Sequence, residues 1–483
     1  MNKRKMAYDI NEMPPLKEAI ILAFQHLFAM FGATILVPIL VNSAAGKEVL
    51  TIPVALVTSG IGTLIYILCT KGKSPVYLGS SFAFIVPVAA AYTKAGISGA
   101  MTGIMAVGLI YVLVALIIKF AGKDWLEKLL PPVVIGPMIM IIGLGLAPSA
   151  IGQIGLDGAK LDWKVILVAF TSFITTAIVM TKAKGFFKII PFLVGIVTGY
   201  ILAVCLGMID FKPVAEASWF AIPKFKIVFK DYGLNFAALI TIAPIALVTL
   251  CEHIGDHTSL SNIIDRDLIK DPGLDRTLLG DGIATFVAGA LGGPANTTYG
   301  ENTSVVGMTK VASVKVIGLA AIIAIVIGFL GKFTALVSTI PNAVLGGVSL
   351  LLYGFIAVNG LKVLIKNQVD FEQSKNIIVA SSMLVLGLGG AAISIVSKDL
   401  SLTISGMSLA AIFGILLNCI LPSEKENTKP VAKLITEDIK VVRSDVTKLK
   451  KDIKDELTVE LKEDIIKAIR EEMNNPTKKK TKK

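Results

Sequence analysis

Charge and cysteine are both scarce in this chain of 483 residues, and each scarcity closes off a class of protein. Charged residues make up 17% of the sequence against 54% hydrophobic ones, which excludes an ordinary soluble domain and indicates a polytopic membrane protein. The four cysteines, Cys69, Cys205, Cys251 and Cys419, lie in or beside apolar runs without paired spacing, so neither a disulfide framework nor a zinc ribbon is indicated. A cleavable signal peptide is not evident either: the first apolar run, Ala19 to Val41, is too long for one and contains Gln25 and His26. The net charge of +12 does not call for nucleic acid, because an excess of Lys and Arg on cytoplasmic loops accounts for it in a membrane protein.

Long apolar runs fill most of what remains. After Ala19 to Val41 and Val49 to Thr70 come Met101 to Ile118, Leu129 to Leu156, Val165 to Thr181, Ile189 to Ile209 and Leu234 to Cys251. Val316 to Leu330, Phe333 to Leu361, Asn376 to Val396 and Leu400 to Leu421 complete the series. With shorter segments included, the pattern predicts an all-α chain of about fourteen spans. Lys3, Arg4 and Lys5 put the N-terminus in the cytoplasm, and the basic clusters around Lys71, Lys123, Lys184, Arg266 and Lys362 all fall inside if spans alternate. Both termini are then cytoplasmic, as expected of a multi-pass protein of the cell inner membrane.

Two segments are poor continuous helices. Ser74 to Tyr92 is interrupted by Pro75, Gly79 and Pro87, and Gly282 to Lys310 by Gly289, Gly292, Gly293, Pro294 and Gly300. Irregular backbone survives at membrane depth only where protein or a cavity surrounds it. One such segment in each half of the chain points to two repeats of about seven spans. Half-helix N-termini there would offer free N–H groups to ligand carbonyls, with Ser80, Ser81 or Thr298 as candidate caps.

Acids gather beside the second of these segments. Glu252 and Asp256 are four residues apart and share one helix face, while His253 and His257 share the adjacent one; Glu301 follows the uncharged run Gly282 to Gly300. A charge near a bilayer centre costs about 2.5–3.5 kcal/mol on insertion scales, so these acids call for a functional role. Inward-facing acids can bind donors or carry a proton. His253 to His257 also has the spacing of an inverted zincin motif, with Asp256 where that motif has Glu, which keeps a metal-dependent membrane hydrolase open as an alternative. No third metal ligand and no cofactor is evident.

Beyond Leu421 the composition changes to a charged tail, giving two expected domains, a membrane domain over 1–422 and a cytoplasmic tail over 423–483. Ile435, Ile439, Val442, Val446, Leu449 and Ile453 repeat at alternating four and three, then Leu457, Leu461, Ile465 and Ile469 at four, which predicts a surface helix or coiled coil. The end, Lys478 to Lys483, is suited to anionic lipid.

Several separated stretches resemble the nucleobase-ascorbate transporter family, its uracil permeases above all. They are Phe24 to Thr34 (FQHLFAMFGAT), Tyr77 to Phe84 (YLGSSFAF), Glu252–His253, Asp271 to Leu274 (DPGL), Asn296 to Asn302 (NTTYGEN) and Gly347 to Gly354 (GVSLLLYG). The resemblance covers roughly residues 14 to 421 and leaves the tail unexplained. It implies two inverted repeats of seven spans, a core domain holding substrate, a gate domain and often a dimer, with proton-driven uptake of uracil.

Carried over by position, the resemblance implies that Glu252 and Glu301 bind substrate, with backbone at Phe82 and Gly300 completing the site. Uracil offers two N–H donors to carboxylates, two carbonyls to backbone N–H groups, and a flat ring that can lie against Tyr299 or Tyr353. His26 would belong to a polar relay. The family's relay histidine falls on Asp256 here, with His257 one residue on; a buried aspartate can also take up a proton. Ser304 stands where the family signature has Gly. Glu301 favours a pyrimidine, since purine-transporting relatives usually carry Gln there. A xanthine-type purine symporter and an anion exchanger of similar fold stay as alternatives, the latter opposed by acids that would repel an anion.

Overall fold

Most apolar runs wind into helices, because a chain away from water must satisfy its own backbone donors and acceptors, and a helix does so within one segment. The computed structural model describes residues 6–158, 161–188, 190–397, 400–422 and 431–474. Lys3, Arg4 and Lys5 and the stretch Lys478 to Lys483 lie outside the described residues. The chain divides into two compact units, Met1–Pro422 and Ser423–Lys483.

In the first unit, α1 (Leu16–Ala45) and α2 (Ile52–Cys69) lead to a short strand, β1 (Leu78–Ser80), and then to α3 (Ile85–Ala121). Next come α4 (Pro132–Gly145), α5 (Trp163–Lys182), α6 (Pro191–Cys205), α7 (Ile245–Ile264) and α8 (Leu274–Ala290). A second short strand, β2 (Asn296–Thr298), precedes α9 (Gly300–Thr309), α10 (Val314–Gly328), α11 (Asn342–Lys366), α12 (Ser374–Leu388) and α13 (Gly406–Ile420). The second unit contains α14 (Val431–Met473). Among the described residues six helices are long and apolar enough to cross a membrane: Leu16–Ala45, Ile52–Cys69, Phe82–Ala121, Pro132–Gln153, Trp163–Lys182 and Asn342–Lys366.

The chain is mostly helical, but the all-α expectation needs correcting. The two interrupted segments pair with each other as antiparallel strands, Leu78 opposite Thr298, Gly79 opposite Thr297 and Ser80 opposite Asn296. A hairpin of Ala392–Ser397 with Leu400–Ser405 forms a second pair, so the run predicted to reach Val396 leaves its helix at Leu388. Other runs are cut differently from their hydropathy. Helix α3 joins half of an interrupted segment to the next apolar run across Gly96, whose φ of 63° takes it out of helical geometry. Helix α7 starts at Ile245, after Pro244, and continues through the polar residues to Ile264, because burial among neighbouring helices replaces hydropathy as the reason for the fold there.

Packing sorts the helices into two groups. Helices α1, α2, α3, α8 and α10 contact one another, and α4, α5, α6, α11, α12 and α13 form the other set; α7 touches α3 on one side and α4 and α13 on the other. The α3–α8 seam is tight enough to bring backbones into contact. A Cβ on Gly108 would sit 2.6 Å from Gly282 O, and one on Gly282 would sit 2.8 Å from Gly108 O. Small residues let membrane helices approach this way, and overpacking costs about 1–3 kcal/mol. Gly108→Ala is therefore expected to lower the thermal unfolding temperature of the purified protein in detergent. An unchanged midpoint would show that the seam yields without cost.

Candidate functional site

Two short strands with few backbone partners of their own need help from side chains, and the flanking helices supply it. Ser59 Oγ donates to Leu78 O (2.6 Å), the Leu78 N–H donates to Thr63 Oγ1 (2.9 Å), and Thr285 Oγ1 donates to Asn296 O (3.2 Å). Tyr299 locks the crossing from the other direction. Its hydroxyl donates to Ser80 O (3.0 Å) and accepts from Thr34 Oγ1 (3.1 Å), while its ring fills the space where a Cβ of Gly79 would lie, only 2.3 Å away. Residue 79 must be glycine for that ring to fit.

The expected serine and threonine caps are not made. Ser81 precedes the helical turn Phe82–Phe84 without a capping bond, and Tyr299 occupies the N-cap position of α9. Ser80 Oγ donates to Thr34 O, and Thr298 is turned to a carboxylate. The strand pairing has taken these residues, so the helix starts that flank the crossing keep their N–H groups free of side-chain caps.

Strand β2 holds the acids of α7. Thr297 Oγ1 donates to Glu252 Oε2 (3.2 Å) and Thr298 Oγ1 donates to Asp256 Oδ2 (2.6 Å), so the shared helix face meets the crossing directly. Both acids are half-buried. A Cβ on Gly300 would lie 3.7 Å from both Asp256 Oδ1 and Asn359 Nδ2, which puts the start of α9 against the same acid. Glu301, in the first turn of α9, lines a narrow cavity with Ala29, Gly32, Phe192, Leu345 and Leu352. Phe82 meets Tyr353 edge to face, with ring centroids 5.8 Å apart. The buried hydroxyls of Tyr353 and Ser349, one turn apart on α11, have no hydrogen-bond partner among the described residues.

The relay residues are separated. His26 is buried on α1 and bound to Asn302, whose Nδ2 contacts His26 O at 3.0 Å and Nδ1 at 3.2 Å. No hydrogen bond among the described residues joins it to Asp256 or His257. His257 points away from Asp256 and stacks on His253, ring centroids 4.1 Å apart. Its Nδ1 donates to His253 O (2.7 Å), so in the neutral ring Nε2 accepts from Tyr66 Oη (2.6 Å), and Tyr66 Oη in turn accepts from Ser74 Oγ (2.9 Å).

Asp281 is the member of this cluster that the sequence reading left out. It is fully buried on α8, Oδ2 lies 2.9 Å from His253 Nδ1, and Oδ1 has no partner among the described residues. The signal was available: a carboxylate inside an apolar run, one residue before the uncharged window that begins at Gly282. Thr277 Oγ1 lies 3.0 Å from His253 Nε2 and 3.1 Å from Leu274 O. One proton joins Asp281 Oδ2 and the other nitrogen of His253.

The same bonds bear on the zincin-like spacing. Both ring nitrogens of His253 and of His257 are engaged, each with a different partner, so the two histidines present no common lone-pair site. Among the described residues no group of three His, Cys, Asp or Glu is arranged to hold a metal ion.

Comparison with known proteins agrees with this architecture. A family model described as "Permease family" matches residues 17–396. The chain is 50% identical over 426 residues to the uracil permease of Bacillus caldolyticus, spanning 87% of this chain and 96% of that one. It is 47% identical over 433 residues to the uracil permease of Bacillus subtilis (strain 168), covering 88% and 98%, and 42% identical over 423 residues to that of Escherichia coli (strain K12), covering 86% and 94%. Among solved structures, murine Slc26a9, an anion transporter, in the inward-facing state superposes with a TM-score of 0.60 at 12% identity, covering 85% of this chain and 69% of that one. The transmembrane domain of the cyanobacterial bicarbonate transporter BicA gives 0.54 at 16%, covering 84% and 98%. At these identities the likeness is one of fold.

The buried chain from Ser74 through Tyr66 to His257 makes a separate prediction. Tyr66→Phe leaves His257 Nε2 without its donor, and an unsatisfied buried group costs about 1–3 kcal/mol. Thermal unfolding in detergent is expected to show a clear loss of stability for Tyr66→Phe and a smaller one for Ser74→Ala, which leaves the Tyr66–His257 bond intact. Equal effects would show that the bond to the ring contributes nothing.

Proposed function

This chain belongs to the permease family of nucleobase-ascorbate transporters, and from that membership we propose that it imports uracil, or a closely related pyrimidine, by symport with protons. The observation that carries the substrate is the 42–50% identity to curated uracil permeases over nearly their whole length. The geometry supports it. Glu252 and Glu301 would accept the two ring N–H groups of uracil, and backbone N–H groups at Phe82 and Gly300 would meet its carbonyls. Tyr353, edge-on to Phe82, would cover the ring, and Tyr299 would serve from behind by holding β1 in place.

The protein on this reading sits in the cell inner membrane, with residues 1–422 as the transporter and 423–483 as a cytoplasmic tail. About fourteen spans in two inverted repeats, forming core and gate domains, accord with the two packing groups of helices and with the pairing of β1 and β2. A homodimer accords with the family. Proton coupling is supported by acids whose neighbours are hydroxyls and histidines, and by the proton shared in the Asp281–His253 pair. The fold neighbours that carry anions do not favour an anion here, because Glu252, Asp256 and Glu301 would repel one.

Proteoliposomes with an imposed inward proton gradient test substrate and coupling together. Wild type is expected to accumulate labelled uracil without competition from xanthine, and Glu301→Gln to lose at least about tenfold of the uptake, as removal of one charged hydrogen bond of about 1.5–3 kcal/mol requires. Uptake that ignores a proton ionophore and follows sodium instead would overturn the coupling.

A further inference from the structure

Helix α14 lies outside the matched family region, which ends at residue 396, and it is 43 residues long, about 65 Å at 1.5 Å per residue. Among its described apolar residues, Val446, Leu449 and Ile453 are 49%, 62% and 49% exposed. In the heptad register, Ile439, Val446 and Ile453 fall at a, and Ile435, Val442 and Leu449 at d. Every a position is β-branched; with Leu449 at d that favours two strands, while the β-branched d residues Ile435 and Val442 do not add to the preference. Ile435, Asp438, Ile439, Val442 and Asp452 are assigned by their place in the repeat.

The flanking charges choose both partner and direction. The g positions are Asp438, Asp445 and Asp452, while Arg443 and Lys450 occupy e. In a parallel, in-register pair each g residue faces the e residue five places on in the other chain, so Asp438 meets Arg443 and Asp445 meets Lys450, in both directions across the dyad. An antiparallel pair would set aspartate against aspartate and Arg443 against Lys450. We infer that residues 435–453 form a parallel, in-register coiled coil with the same segment of a second copy of this chain. Beyond Ile453 the apolar residues Leu457, Leu461, Ile465 and Ile469 recur at four, which carries the stripe round the helix by about 40° per step, so the pairing is confined to the first half of α14.

Disulfide trapping in the full-length protein tests this, in a Cys205→Ser, Cys419→Ser background that removes the two exposed native thiols. Val446→Cys, at a, is expected to form a covalent pair of chains rapidly under mild oxidation, and Lys451→Cys, at the outward f position, is not. Adding Asp445→Lys should slow trapping at position 446 about fivefold, in line with the loss of one exposed ion pair on each side of the dyad. Adding Lys450→Asp as well should restore it. Equal trapping at 446 and 451, or failure of the charge swap to restore the rate, would overturn the parallel pairing whether or not the membrane domains associate or carry uracil.

Discussion

The backbone hydrogen bonds of two unwound segments are the constraint on which the rest of this membrane domain depends. Chain that leaves a helix away from water exposes donors and acceptors that cost several kcal/mol each if left unpaired. Leu78–Ser80 and Asn296–Thr298, more than two hundred residues apart in sequence, solve the problem by pairing with each other. Once they do, α3 and α9 must begin beside the crossing, α2 and α8 must flank it with hydroxyls, and α7 must pass along its side. The close α3–α8 seam then keeps both halves of the crossing in one body.

The same crossing explains why acids can stand where they do. Thr297 and Thr298 serve the strand with their backbone and the carboxylates of α7 with their side chains, so one strand satisfies Glu252 and Asp256 while fixing their separation. Tyr299, the next residue, turns to Ser80 and Thr34 and cannot also be a freely placed ring beside the acids. Strand geometry thus divides the labour within four consecutive residues: two hydroxyls for the acids, one ring for the lock, and Gly300 to open α9 against Asp256.

How much of this was legible in the sequence follows from what hydropathy and glycine or proline report. The two interruptions were readable because Gly79, Gly292, Gly293 and Pro294 break a helix wherever it lies, and the shared face of Glu252 and Asp256 was readable because four residues make one turn. That the interruptions pair was not readable, since strand pairing across two hundred residues leaves no periodicity in either partner. Helix limits failed where burial outweighs local preference: α7 is polar enough to look like the end of a span, and its neighbours hold it helical to Ile264. Asp281 was legible by the rule applied to Glu252 and escaped only because it precedes the uncharged stretch by one residue. His26 looked like part of one relay with Asp256 and His257, yet it sits on α1 bound to Asn302 while the other two sit on α7 with partners of their own, and sequence spacing carries no information about which buried side chains meet.

The charges of the site bear on the proposed coupling. Among the described residues no Lys or Arg forms an ion pair with Glu252, Asp256 or Glu301, and Glu252 and Asp256 receive bonds from threonine hydroxyls. Breaking a buried pair leaves an uncompensated charge at a cost of several kcal/mol, and a site built without a basic partner carries that cost from the start. On the proposed reading, what offsets it comes from outside the protein during the transport cycle. A neutral pyrimidine brings two polarised N–H donors but no charge, so it can satisfy lone pairs without cancelling a full negative charge; a proton can cancel one. On the proposed reading, a proton would cancel charge among these acids and the substrate would satisfy their lone pairs. The Asp281–His253 pair lies one helix face away from Glu252, beside these acids without being part of their threonine contacts.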